Sequence, residues 1–151
     1  MTLLANLTTP FLLNISVFIL VQQGSSILLL HRKNTGWQDN KWSLPAGRHD
    51  GGEPLSEAAA RELLEETGLI VQPENLELIH LQHHKTGRDG KEWLGVYFRA
   101  SHWTGTPRLL EPDKHDALEW HETLPKTMVD YVQFAIKKIL NGQRFSSIGW
   151  F

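Results

Sequence analysis

Residues 47–69 read GRHDGGEPLSEAAARELLEETGL, and no other stretch restricts the fold as tightly. Pro54 suits a first helical residue and Gly68 suits the position just past a helix end, so a helix is predicted between them. Before it come NISVFILV and ILLLHR, which predict strands near Ile15–Val21 and Ser26–Arg32 in a hairpin, and then the short strand WSLPAG. After it come LELIHLQHH and EWLGVYFRA, joined by a loop whose Asp89-Gly90 pair is a hairpin signal, and then DALEWHE. A last helix is predicted from Lys126 to Leu140, with Val129, Val132, Ile136 and Ile139 at helical spacing and Gly142 closing it. Strands on both sides of one helix, with a second helix at the end, imply an α/β fold built on a mixed sheet covered on both faces.

The central helix is locally unfavourable. Glu62, Glu65 and Glu66 fall within about a third of its circumference, where like charges at i,i+3 and i,i+4 cost ~0.2–0.5 kcal/mol per pair. Glu65 and Glu66 also stand in the last turn, where the helix dipole favours cations. Ala58 and Ala59 continue the same face, so nothing bulky covers the carboxylates. A solvated acidic face is the plain explanation. The alternative is a divalent cation, because clustered carboxylates offer the hard oxygen ligands that Mg²⁺ or Mn²⁺ prefers.

The rest of the stretch bears on the choice through a resemblance. The stretch follows G-x5-E-x7-R-E-U-x-E-E-x-G-U, with U aliphatic, and Gly47, Glu53, Arg61, Glu62, Leu63, Glu65, Glu66, Gly68 and Leu69 fill every fixed position. This resembles the Nudix box, the defining motif of the Nudix hydrolases. The resemblance implies one Nudix domain over 1–151, folded as a three-layer α/β/α sandwich. It also implies Mg²⁺- or Mn²⁺-dependent cleavage of a nucleoside diphosphate linkage. Carried over by position, Glu65 and Glu66 would be metal ligands, and Glu62 a further ligand or the base acting on water. Arg61 and Glu53 would be structural, Arg61 orienting the acidic cluster; spacing alone also allows Arg61 an i,i+4 pair with Glu57. The backbone carbonyl of Ala46 would join the metal site, since MutT-like members use the residue before the first box glycine.

Outside the motif, Arg32 matches a position where relatives carry an arginine that reaches substrate phosphates. Trp37, in a polar loop, is a candidate to stack on a base, whereas Trp42 reads as packing. Several relatives add an acidic residue from the segment LLEPDKHDALEW, where Glu111 is preferred over Asp113 and Asp116. Asp130 lies where relatives acting on oxidised purine nucleotides read the base, though an acid at a helix start needs no special role. His83 and His84 look like a metal pair, but neighbours on a strand point to opposite faces and do not readily share one ion.

Composition removes other classes. With no cysteine among 151 residues, thiolate catalysis and Cys-type zinc sites are excluded. A net charge of −2 offers no basic face for nucleic acid or a membrane surface. The opening MTLLANLTTPFLLNISVFILV is too interrupted for a membrane span and has no basic start, so it reads as a buried strand of a soluble, cytoplasmic protein. The secondary signatures of ADP-ribose, dinucleoside polyphosphate, coenzyme A and NADH hydrolases are missing. By elimination the expected substrate is a (deoxy)nucleoside triphosphate, cut to monophosphate and pyrophosphate. ADP-ribose or another nucleoside diphosphate sugar is the second reading, and a non-catalytic nucleotide-binding module the third. Many relatives form homodimers, and nothing in this sequence locates an interface.

Overall fold

The computed structural model describes residues 9–87 and 89–150. Eight strands and two α-helices follow in the order β1 (Asn14–Gln23), β2 (Ser26–Arg32), β3 (Trp42–Ser43), β4 (Ala46–Arg48), α1 (Leu55–Thr67), β5 (Leu76–His84), β6 (Trp93–Ala100), β7 (His115–His121), α2 (Asp130–Leu140) and β8 (Phe145–Ile148). Hydrogen-bonded neighbours run β3-β2-β1-β6-β5-β8, with β4 on β1 and β7 on β2. The sheet is mixed: β1 pairs parallel with β6, and β5 parallel with β8, while the other ladders are antiparallel.

The period of two along β1 builds the layers. Val17, Ile19 and Val21 join a core with Ala58, Ala59 and Leu63 of α1. Phe18 and Leu20, on the opposite face, join a second core with Val132, Ala135 and Ile136 of α2. A strand buried on both faces reads as a continuous apolar run, as β1 does. The expected α/β/α arrangement is therefore present.

Gly68 closes α1 at φ +77°, its N–H donating to the Leu64 carbonyl at 2.9 Å, while Pro54 is the extended residue just before the first turn. Three expectations need correction. The last helix begins at Asp130, four residues later than its apolar spacing suggests, because residues 127–129 run extended beside Trp42. The Trp42 N–H donates to the Thr127 carbonyl at 2.8 Å, and the Val129 N–H to the Trp42 carbonyl at 2.9 Å. β8, which sequence periodicity missed, extends the sheet beyond β5. Phe11 and Leu12 are exposed rather than buried in a strand, and residues 1–8 of that opening segment lie outside the described residues. Among the described residues no helix is long and apolar enough to cross a membrane.

Candidate active site

β4 lies along β1, with Gly47 opposite Val17, and presents its backbone to α1. Glu66 is buried, with 7% of its surface exposed, and accepts the Ala46 N–H at 3.3 Å. The Glu62 carboxylate fills the space where a Gly47 side chain would stand: a Cβ there would overlap its carboxyl carbon and both oxygens. Glycine is thus required by close approach.

Arg61 offsets the crowding of charge. Its Nη2 donates to Glu53 at 2.6 Å, and its Nη1 to Glu62 at 3.1 Å and Glu65 at 3.3 Å. Its i,i+4 partner among the described residues is Glu65, not Glu57. The pair with Glu53 lowers the Glu53 pKa and raises that of Arg61. Arg61 does not reach Glu66 in this way. Burial first, and the neighbouring Glu62 charge second, push the Glu66 pKa well above the carboxylate range, with the Ala46 N–H pulling the other way. Glu62 is also raised, by burial, against the pull of Arg61.

Ala46, Gly47, Glu62, Glu65 and Glu66 line a cleft of about 630 Å³ that also receives Arg32, Glu111 and Asp113. The Glu111 carbonyl caps the turn that leads into β7, accepting the N–H of Lys114 and of His115, while its side chain lies 3.5 Å from Lys114 Nζ. Of the three loop acids, Asp116 turns away to His31 at 2.6 Å. The donor set fits a hard divalent cation in its chemistry: carboxylate oxygens in excess of nearby cations, one of them buried and held above its ordinary pKa by that burial first and by the Glu62 charge second. Among the described residues the side chains do not already form a group of three metal ligands, because Glu62 and Glu65 are drawn to the Arg61 guanidinium.

A second cavity, of about 390 Å³, has aromatic walls that include Phe18, Trp37, His84, Trp93 and Tyr131. The cleft and the cavity adjoin along the β1–β4 ladder and at the loop that follows β2. Arg32, at the end of β2, donates from Nη2 and Nε to the Trp37 carbonyl at 2.9 and 3.2 Å. Asp39 stiffens the same loop by accepting the Thr35 and Gly36 N–H groups and the Thr35 hydroxyl. Trp37 is therefore placed where a planar ligand could stack. Asp130 is not drawn into either cavity; it heads α2, exposed, 4.0 Å from Lys41, while its neighbour Tyr131 forms part of the aromatic wall. Trp42 packs between His31 and His121, with ring centroids at 5.0 and 4.6 Å. His83 and His84 do face apart: His83 meets Trp150, and His84 stacks on Tyr131. Sequence reasoning missed the aromatic cavity, whose residues come from β1, β5, β6, α2 and two loops; an excess of aromatic residues was the only available signal.

A family model described as NUDIX domain matches residues 10–124. The uncharacterized Nudix hydrolase YvcI of Bacillus subtilis is 28% identical over 68% of this chain and 61% of its own length. The oxidized purine nucleoside triphosphate hydrolase of Danio rerio is 33% identical over 62% of this chain and 57% of its own. The chain thus spans about three fifths of these two relatives. Among solved structures, the MutT NUDIX hydrolase of Burkholderia pseudomallei superposes with a TM-score of 0.75 at 28% identity, covering 84% of this chain and 98% of that one.

Proposed function

The chain belongs to the NUDIX domain family, and on that premise we propose that it is a divalent-cation-dependent pyrophosphohydrolase of nucleoside diphosphate-linked substrates. Within that class we infer a (deoxy)nucleoside triphosphate, cut to the monophosphate and pyrophosphate. One arrangement carries the reading: buried Glu66 and half-buried Glu62 in an acidic cleft that adjoins an aromatic cavity, with Arg32 of the cleft bonded to Trp37 of the cavity. The similarity to the oxidized purine nucleoside triphosphate hydrolase of Danio rerio supports a triphosphate.

Glu62, Glu65 and Glu66 would hold Mg²⁺ or Mn²⁺, with the Ala46 backbone and Glu111 at the edge of the site. When bound, the cation would neutralise phosphate oxygens and make water more acidic. Glu62 is the candidate base: burial raises its pKa above the ordinary carboxylate value, and it sits against the Gly47 backbone, which fixes where it points. Arg61 holds Glu62 and Glu65 in register while itself anchored on Glu53. Arg32 faces the phosphate end of the cleft, and Trp37 stacks on the base.

A hydrolysis panel tests the reading. Purified protein with Mg²⁺ or Mn²⁺ is offered canonical and oxidised (d)NTPs, ADP-ribose, nucleotide sugars and dinucleoside polyphosphates, and the products are resolved. Pyrophosphate plus one monophosphate supports a triphosphatase. Two monophosphate products from ADP-ribose or a nucleotide sugar would keep the chemistry and replace the substrate. Nucleotide binding without turnover of any compound would favour a binding module.

A further inference from the structure

The aromatic cavity holds one buried polar side chain whose hydrogen-bonding capacity is only half used. His84 ends β5 with 4% of its surface exposed, and its ring stacks on Tyr131 with centroids 4.6 Å apart and planes within 13°. On the neighbouring strand Trp93 stands opposite it, 6.5 Å away between centroids and within 14° of parallel. Nδ1 is taken by the Thr86 hydroxyl at 2.8 Å. Among the described residues Nε2 has no partner, and it is not one of the ring nitrogens sealed from solvent without one, which are His83 Nε2, His115 Nδ1 and His121 Nε2. Burial, and secondarily His83, push the His84 pKa down to about 4, so the ring is neutral near pH 7.

A neutral imidazole with one nitrogen tied to a hydroxyl, itself both donor and acceptor, presents the other as a donor in one tautomer and an acceptor in the other. Flat walls hold any heterocycle by stacking and discriminate weakly among bases. A single fixed hydrogen-bonding atom in such a wall discriminates strongly, because a base with the wrong edge leaves that atom desolvated and unpaired.

Resting on the reading of the chain as a nucleotide hydrolase, we propose that His84 is its base-specificity residue: Nε2 reads the hydrogen-bonding edge of the base, with the ring held in place by the Thr86 hydroxyl and the Tyr131 stack. The class of ligand is a nucleotide whose base offers one complementary donor or acceptor at that edge.

The test is binding, so that it does not depend on turnover. Tryptophan fluorescence of wild type, His84→Phe and Thr86→Val is titrated with AMP, GMP, CMP and UMP, with ¹⁵N shifts of the His84 ring recorded in wild type and Thr86→Val. His84→Phe keeps a stacking ring and loses the polar edge. Wild type is expected to prefer one base, His84→Phe to flatten that preference roughly tenfold or more, and Thr86→Val, which removes the Nδ1 partner, to shift the ring ¹⁵N resonances and weaken the preference. A base preference that survives His84→Phe in folded protein overturns the proposal. So does absence of saturable binding of every monophosphate by wild type. If triphosphate hydrolysis persists in either case, the proposed function stands without His84; if hydrolysis is absent from wild type, that reading fails as well.

Discussion

The Glu62 carboxylate occupies the volume that a side chain on Gly47 would need, so the two residues determine each other. Gly47→Ala is therefore expected to displace Glu62 from the cleft while leaving both cores in place. Overpacking of this kind costs about 1–3 kcal/mol. The checks are turnover and a thermal melt: a large fall in kcat with a modest fall in Tm is expected. Full activity in Gly47→Ala would mean that the position of Glu62 is unimportant.

Glu53 stands outside the cleft and acts through Arg61, which it holds at 2.6 Å. Glu53→Gln removes the charge that anchors the guanidinium and frees Arg61 to bind Glu62 and Glu65 more closely. Partners of this kind, one step removed from a metal, typically affect metal affinity by about 10–100-fold. The activation constant for Mg²⁺ is expected to rise in Glu53→Gln, with saturating metal restoring most of the rate. An unchanged metal dependence would reduce the Glu53–Arg61 pair to a surface contact.

A carboxylate whose folded pKa lies above its ordinary value of 4.5, as for Glu66 and Glu62, binds a proton more tightly folded than unfolded. The native state then carries more protons in the window above 4.5, and stability falls as pH rises through it. In chelator, Tm is expected to drop more steeply with pH from 4.5 upward in wild type than in Glu66→Gln. Added Mg²⁺ should reduce the difference. His84 and His115, both lowered by burial to about 4, act with the opposite sign: stability is lost as pH falls from 6.5 toward 4. Their contribution is common to both proteins and cancels in the comparison. Parallel pH profiles would contradict the burial of Glu66.

Trp37→Ala tests the loop that joins the two cavities. Base–aromatic stacking contributes about 1–3 kcal/mol, which corresponds to roughly a five- to 150-fold increase in KM with kcat largely retained. Equal falls in kcat and kcat/KM would instead assign Trp37 to the chemical step.

Much of this molecule is legible in its sequence, for reasons that differ by element. β1 and β2 are continuous apolar runs broken by Gly24, and α1 ends at a glycine in the left-handed region, so local chemistry marks them. The motif named the acidic carboxylates because their spacing along one helix is their spacing in space. What stayed hidden depends on pairing between distant segments. Residues 127–129 have helical periodicity, yet Trp42 holds them out of the helix through an isolated parallel bridge to Met128. β8 is short and polar and exists only because β5 offers it an edge. Sequence gives Glu111 only a slight preference over Asp116, and it is the fold that sends Asp116 to His31 and Glu111 to the cleft. The aromatic cavity gathers Phe18, His84, Trp93 and Tyr131 from four elements, a convergence no local pattern records.

The central claim is that buried Glu66 serves metal-dependent cleavage rather than packing. The most direct measurement compares Mg²⁺-dependent release of pyrophosphate from nucleoside triphosphates by wild type, Glu66→Gln and Glu57→Gln, with circular dichroism on each. Glu57 lies on the same helix but outside the cleft. The account predicts turnover in wild type and Glu57→Gln, and loss to background in a folded Glu66→Gln. Undiminished turnover in folded Glu66→Gln would contradict it.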